Sequence, residues 1–425
     1  MDIYVLNSDF KRTDLIDRYE SFIWTERFAA YGDFELKLKP TSAFRSLLRE
    51  GTRLVIANST RVMEIETIAD DTDDEGRRVV SYTGPTIEKT TLEQRIFRSS
   101  MADTTTEPET TLTGLPANVA RHIFNTICRE GRLSPHDVIP LLTVGSVYPK
   151  GTIPEPDKAI TVAIKPKTVY AAIKEICDAY GLGFRLVHGA EAVTPGTWSE
   201  WDDDETWDDN DDTWATAVGK PAPPRWTNDP KLYFDIYSGN DLTSAQSSGR
   251  SVIFSEGLDN LTNISELTSK ASYKNVAYVI SANGTRMVYS PDVMGTVAGF
   301  DRRVLLVEVT DVGEATGDEL QDILEQRGLE ELAKNRAIHA FDGEVPQNGR
   351  YRYNVDYQLG DMVEMRGEDG LAKNMRVAEQ IFVSDSNGVR SYPTLTDDLF
   401  ITPGSWLGWD FNAVWENAQG TWAEA

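Results

Sequence analysis

The sequence is poor in the residues that most often build catalytic and metal sites. Its 425 residues include only two cysteines and four histidines. Cys128 and Cys177 cannot form a disulfide framework and indicate synthesis in a reducing compartment, where we expect them to be small core residues. The histidines show no metal-ligand spacing, and neither HExxH nor CxxC occurs. We therefore expect no metal, no cofactor and no catalytic residue.

Long apolar runs and basic residues are also scarce. No apolar run approaches 18 residues and no signal peptide pattern begins at Met1, so we expect no membrane span. Lys and Arg number 42 against 68 Asp and Glu, which gives a net charge of −26. Residues 199–212 contribute nine acidic side chains, and −26 + 9 leaves −17 for the rest, so the acidity is global. Such a surface repels nucleic acid.

Tryptophan, in contrast, is concentrated in one duplicated motif. TPGTWSEWDDDETWDDNDDTWATA at Thr194 to Ala217 aligns without a gap with TPGSWLGWDFNAVWENAQGTWAEA at Thr402 to Ala425. The motif holds eight of the 10 Trp residues: Trp198, Trp201, Trp207, Trp214, Trp406, Trp409, Trp415 and Trp422. Their spacings of three, six and seven fit neither an alternating strand nor an amphipathic helix.

Three roles for these motifs are open, namely docking to a partner, folding back on the chain and a mobile tether. We favour docking, because four indoles among nine acidic residues cannot build a core locally and exposed Trp is typical of binding hot spots. The run Asp202 to Asp212 could bind calcium or be a solvated acidic loop. It lacks the glycine and the ordered alternation of a calcium loop.

Apolar periodicity predicts a mainly β chain with an α/β region in the middle. Phe34, Leu36 and Leu38 alternate with charged residues in the first region, which predicts a small antiparallel barrel or sandwich over residues 1–97. A linker is predicted at Thr104 to Thr113, and helices at Ala117 to Arg129 and Thr168 to Tyr180. Thr316 and Glu319 predict a capping box for a helix from Asp318 to about Ala340.

Further strands are predicted on both sides of that helix. They are Val252 to Phe254, Val276 to Ile280, Arg286 to Tyr289 after an Asn283-Gly284 hairpin, Arg303 to Val309, Gly349 to Tyr357, Met362 to Arg366, Met375 to Val383 and Gly388 to Pro393.

Several segments resemble siphoviral tail hub proteins, also called minor tail or tail-associated proteins, of phages that infect Gram-positive bacteria, especially actinobacteria. They are LIDRYESFIWTERFAAYGDFELKL at Leu15 to Leu38, SVIFSEGLDNLTNIS at Ser251 to Ser265, YKNVAYV at Tyr273 to Val279, VDYQLGDMVEMR at Val355 to Arg366 and YPTL at Tyr392 to Leu395. The duplicated Trp motif is not part of this resemblance.

The resemblance implies an α+β, mainly β chain with two tail-tube-like antiparallel β-barrel domains flanking an α/β region. The implied domains are 1–100 (first barrel), 101–302 (α/β, with a Trp-rich acidic insertion at 190–228), 303–400 (second barrel) and 401–425 (Trp-rich docking tail). It also implies a homotrimeric hub at the phage tail tip in the virion, which adapts a sixfold tail tube to a threefold tip. Its partners would be tail tube and distal tail proteins and further tip or receptor-binding proteins, while DNA would pass through the lumen without specific binding.

The competing class is a carbohydrate-active or carbohydrate-binding β protein that stacks Trp on sugars. Sugar stacking requires indoles on a rigid β face, whereas these motifs fall in a long connection and at a terminus. No nucleophile, zinc site or appended hydrolase domain is recognisable, so we expect no hydrolysis of cell-wall polymers.

Overall fold

The computed structural model describes most of the chain. The described residues are 1–57, 59–72, 78–98, 100, 110–143, 151–188, 232–246, 249–258, 260–291, 293, 297–310, 312, 315–344, 350–366, 372–386 and 388–397.

These residues form 24 strands and five α-helices. The strands are β1 (Ile3–Leu6), β2 (Arg12–Ile16), β3 (Ser21–Arg27), β4 (Asp33–Leu38), β5 (Arg53–Ile56), β6 (Met63–Glu64), β7 (Thr67–Thr72), β8 (Arg78–Pro85), β9 (Ile96–Phe97), β10 (Thr110–Gly114), β11 (Leu142–Thr143), β12 (Ile160–Ile164), β13 (Lys167–Thr168), β14 (Gly183–His188), β15 (Leu232–Tyr237), β16 (Ile253–Ser255), β17 (Thr262–Ser269), β18 (Val276–Ser281), β19 (Gly284–Tyr289), β20 (Val304–Val309), β21 (Ile338–Glu344), β22 (Met362–Arg366), β23 (Ala372–Asp385) and β24 (Gly388–Asp397). The helices are α1 (Ser42–Leu47), α2 (Ile87–Leu92), α3 (Pro116–Phe124), α4 (Val169–Tyr180) and α5 (Gly317–Lys334), with a π-helical turn at Asn125–Arg129 after α3. Within this part of the chain, no helix has the length and apolarity to cross a membrane.

The largest sheet joins the first and the last β regions through β23. Its main order is β17-β21-β24-β23-β3-β4-β8-β7, and β22 and β16 branch from β23. One edge of β23 is shared by two partners, because residues 372–376 pair with β22 and residues 379–384 pair with β3. A strand of 14 residues is about 45 Å long and has room for both.

The prediction of two barrels is therefore corrected for the described strands. Ten of them, from both β regions, form one open sheet whose main path ends at β7 and β17 instead of closing on itself. The reason is the β3–β23 pairing, which uses an edge that a closed first barrel would keep for itself. The mainly β, α+β class is confirmed, and the domain limits at residues 100, 302 and 400 stay predictions.

The first β region buries the residues that its alternation selected. Phe34, Leu36 and Leu38 are 2%, 0% and 0% exposed. They pack with Phe22 and Trp24 of β3 against a second, four-stranded sheet of order β2-β1-β5-β6. Apolar burial between these two sheets stabilises the region by about 25 cal/mol per Å² of area removed from water.

In the α/β region α3 and α4 pack together beside the β11-β15-β14 sheet, and both predicted helices are confirmed. Thr168 begins α4 by accepting a hydrogen bond from the Ala171 N–H at 3.1 Å, and Gly181 ends it in the left-handed conformation at φ 67°. Cys128 and Cys177 lie in the core of this region. The predicted linker is corrected in part, because its residues from Thr110 onward form β10, which pairs with β12.

A third unit consists of the β19-β18-β20 sheet and α5. The hairpin predicted at Asn283-Gly284 is confirmed, with Ser281 paired to Gly284. β20 pairs with β18 across the predicted boundary at residue 303.

Three predictions in and after this unit were wrong. α5 ends at Lys334 instead of Ala340, because residues from Ile338 onward pair with β17 and β24. Thr316 is the N-cap residue, but its side chain makes no capping hydrogen bond. The described part of the strand predicted at Gly349 to Tyr357 is a turn, with Asn354 at a φ of 61°.

Candidate functional site

All eight Trp residues predicted to dock lie outside the described residues, as does the acidic run Asp202 to Asp212. Their docking role and the choice between calcium binding and a solvated loop therefore stay predictions. The cysteines, the histidines and the buried charged residues lie in the described part of the chain.

The described cysteines and histidines are buried or unclustered. Burial raises the pKa of the Cys128 thiol to about 12 and raises that of Cys177 as well, so both stay protonated and inert at neutral pH. Burial also lowers the pKa of His122. Among the described residues, no three His, Cys, Asp or Glu side chains come together in a way that could hold a metal ion.

The first β region and the α/β region meet at a buried ion pair. Arg61 is paired with Glu88 of α2, and their side chains are only 5% and 1% exposed. The same Glu88 carboxylate accepts the backbone N–H of Leu186 in β14 at 2.8 Å. Arg61 also donates to the carbonyl of Arg27 at 3.3 Å. Glu88 therefore neutralises a buried cation and ties α2 to a strand of the next region.

Glu26 of β3 makes the corresponding link to the last β region. Its carboxylate accepts hydrogen bonds from Trp24 Nε1 at 2.9 Å, from the Ser59 hydroxyl and from the Tyr353 hydroxyl at 2.8 Å. Burial and the neighbouring Glu26 raise the pKa of Tyr353 well above its usual value, so this phenol stays a donor. One carboxylate thus joins residues that are more than 300 positions apart.

Arg376 of β23 is also buried and makes a further set of contacts. It donates to the carbonyls of Ser238 and Gly360, both at 2.6 Å, and its guanidinium lies 5.0 Å from the ring centroid of Phe28. We call Glu26, Arg61, Glu88, Tyr353 and Arg376 the polar junction. Because a buried charge that loses its partner costs several kcal/mol, the polar junction holds the three regions in one arrangement.

Sequence patterns alone did not indicate a functional role for any residue of the polar junction. One signal was present, since Glu26 occupies an inward position in the series Phe22, Trp24 and Phe28, where an apolar residue is the rule. An acid at such a position requires a buried partner, but the sequence does not identify it.

A model of the Siphovirus ReqiPepy6 Gp37-like protein family matches residues 2–395. The chain belongs to this family. The resemblance to siphoviral tail proteins is confirmed. The match ends before the second Trp motif, which begins at Thr402.

Solved structures of tail proteins are similar to the chain at low sequence identity. The tail protein from Neisseria meningitidis MC58 has a TM-score of 0.48 at 13% identity, over 96% of this chain and 98% of that one. The 43 kDa tail protein of prophage MuSo2 from Shewanella oneidensis has a TM-score of 0.48 at 13% identity, over 93% and 96%. The prophage tail protein gp18 from Listeria monocytogenes EGD-e has a TM-score of 0.45 at 11% identity, over 94% and 95%. No curated protein matches the chain.

His188 next to the polar junction leads to a prediction on pH. The His188 side chain is 1% exposed, and its ring stacks on that of Phe10 with the ring centroids 5.6 Å apart. Burial lowers the pKa of His188 to about 4. The unfolded chain takes up this proton near pH 6.5 and the folded chain does not, so stability is lost as the pH falls from 6.5 to 4. We expect a loss of about 3 kcal/mol from this residue, measured by denaturant unfolding at several pH values.

The variant His188→Phe isolates this effect. Asp361 acts in the opposite sense, because burial raises its pKa to about 6 and its contribution to stability grows on acidification, but it is present in both proteins. The free energy of unfolding of the parent, relative to that of His188→Phe, should therefore fall by about 3 kcal/mol from pH 7 to pH 4. The exposed His136→Gln is the control, and equal pH profiles for the parent and His188→Phe would contradict the prediction.

Proposed function

We propose that the chain is the structural hub of the tail tip in a phage with a long non-contractile tail. In this role it forms a homotrimer, adapts the sixfold tail tube to a threefold tip and anchors further tip or receptor-binding proteins. The observation that supports the proposal most strongly is the pairing of β23 with β3 beside the polar junction. It gives one chain two β regions in a defined relative orientation, as a threefold ring with sixfold pseudosymmetry requires.

Three further properties fit this role. β7 and β17 end the main sheet and present strand edges that neighbouring subunits can pair with. A net charge of −26 suits a lumen through which DNA passes without binding. The Trp motifs supply aromatic anchors for a partner, and no described residue favours the carbohydrate-binding alternative.

The composition of purified phage particles tests the proposal. We expect this chain in one ring of three copies per particle, together with a stoichiometric tail tube protein, and a trimer mass for the complex released from particles. The hub proposal would be contradicted if the chain were absent from particles, or if its copy number were as high as that of the tube protein.

A structural role also predicts no lytic activity. We expect no cleared band for the pure chain on a zymogram of host cell walls, next to a lysozyme lane as the positive control. A cleared band that follows the purified chain through two chromatographic steps would contradict this expectation.

A further inference from the structure

In the described part of the chain, the sheet of the third unit packs against a helix, α5, on one face only. Val279 and Val288 point to α5, where they pack with Leu320 and Leu324. Pairing in the sheet places Tyr278 between Met287 and Leu306 on the opposite face. We call the opposite face, formed by Tyr278, Ile280, Met287, Tyr289 and Leu306, the β18 face.

The β18 face is both apolar and exposed. Ile280, Met287 and Leu306 are 41%, 46% and 58% exposed, and Phe300 in the turn before β20 is fully exposed. Adjacent exposed apolar side chains of this kind mark an interaction surface on a soluble protein.

Arg302 gives the β18 face a specific chemistry. Its guanidinium lies 5.5 Å from the ring centroid of Tyr278 and 5.9 Å from that of Tyr289. It also donates to the Tyr278 hydroxyl at 3.0 Å and to the Met287 sulfur at 3.2 Å. A guanidinium, aromatic rings and a thioether on one face favour an aromatic ligand that carries carboxylates.

The charges at the two ends of the β18 face differ. Arg302 lies beside Tyr289 at one end, whereas Glu308 of β20 is paired with Ile280 at the other. An acidic peptide on this face is therefore oriented with its carboxylates toward Arg302.

The C-terminal Trp motif has the required composition. Thr402 to Ala425 contains four Trp, the acids Asp410, Glu416 and Glu424, and no Lys or Arg. Trp406, Trp409 and Trp415 are separated by three and six positions, which are multiples of the polyproline II repeat. Three residues at that repeat span about 9 Å. Met287 and Leu306 lie on either side of Tyr278, two strand spacings or about 10 Å apart. This distance matches the separation of Trp406 and Trp409.

The motif is also within reach of the β18 face of its own chain. The N–H of Lys274, just before β18, donates to the carbonyl of Asn335 at 2.7 Å, and Thr396 near the end of β24 is opposite Ala340. Five residues from Asn335 to Ala340 span at most about 18 Å, so the end of β24 lies within about 30 Å of β18. The 28 residues after Asp397 can extend over about 90 Å.

We propose that the Trp motif at Thr402 to Ala425 docks on the β18 face of its own chain, with the indoles of Trp406 and Trp409 on Met287 and Leu306, on either side of Tyr278, and its carboxylates toward Arg302. The proposal rests on the hub function proposed above and, for the C-terminal copy, selects the alternative in which a Trp motif folds back on its own chain. The C-terminal copy has its receptor on the hub itself, and the acidic copy at Thr194 to Ala217 is left for another tip protein.

Photo-crosslinking in the full-length chain tests this contact. A Trp409→p-benzoylphenylalanine substitution should crosslink to peptides of β18, β19 or β20, with the product at the mass of a single chain. The double variant Met287→Glu/Leu306→Glu should reduce this crosslink at least tenfold, because it removes apolar area and repels the acidic motif. The matched control is Leu15→Glu, which changes a residue that is 49% exposed in β2 and should leave the crosslink intact.

Each other outcome overturns the proposal. Crosslinks to another surface, an unchanged yield in the double variant, or a product with the mass of two chains would each contradict docking on the chain's own β18 face. Equal melting temperatures of the variants exclude unfolding as the cause of a loss. Failure of this test leaves the particle composition unaffected, whereas failure of the hub role appears in the particles even when the crosslink forms.

Discussion

Replacing Glu88 by alanine is expected to lower the free energy of unfolding by about 3–5 kcal/mol. The change leaves the Arg61 guanidinium buried without its carboxylate, and it removes the acceptor of the Leu186 N–H. Both losses are costly because the site excludes water, so the released groups cannot be hydrated in place. Equilibrium unfolding in denaturant, followed by circular dichroism, measures the effect.

Two further variants show whether the buried charge is the cause. Glu66→Gln removes the partner of Lys89 in a partly exposed pair, in which Nζ and Oε2 are 3.7 Å apart, and should cost less than about 1 kcal/mol. The double variant Arg61→Met/Glu88→Leu removes both charges and should recover most of the stability. A loss below about 1 kcal/mol for Glu88→Ala would mean that the polar junction does not hold the regions together.

Replacing Trp198, Trp201, Trp207 and Trp214 together by alanine is expected to abolish the recruitment of another tip protein. Truncation of a buried Trp anchor commonly costs about 2 kcal/mol or more, so four such losses lower the affinity by several orders of magnitude. The motif lies between β14 and β15 in the sequence, and the fold of the described regions should be retained. Mass spectrometry of purified particles measures the loss as the disappearance of one or more tip proteins.

The matched control changes charge and keeps the indoles. In the variant Asp202→Asn/Asp203→Asn/Asp208→Asn/Asp209→Asn, recruitment should persist, with slower association and a weaker dependence on salt. Particles that contain the full set of tip proteins despite the four Trp→Ala changes would show that the motif does not dock.

Local sequence patterns predicted many elements correctly. α4 follows from its apolar spacing, the Thr168 cap and the Gly181 stop, and β4 follows from strict alternation. These signals are contained within about a dozen neighbouring residues. Core burial and helix bounds in these segments were therefore accessible without a structure.

Pairing between strands or charges that are far apart in the chain could not be predicted from the sequence in the same way. Nothing in the sequence of β23 indicates that one of its edges serves both β22 and β3, since pairing depends on strands far away in the chain. The end of α5 was missed for the same reason, because tertiary pairing of β21 overrides a helical pattern that continues past Lys334. The ion pair of Arg61 with Glu88 joins residues that each look like ordinary surface charges in the sequence.

A cryo-EM map of the native tail tip tests most directly whether this chain forms the hub at the tip of the tail. We expect a ring of three copies at the end of the tail tube, with β3 and β23 of each chain placing two β regions on the ring. A map that places the chain along the tube, in a spike with a different symmetry, or outside the tail tip would contradict it.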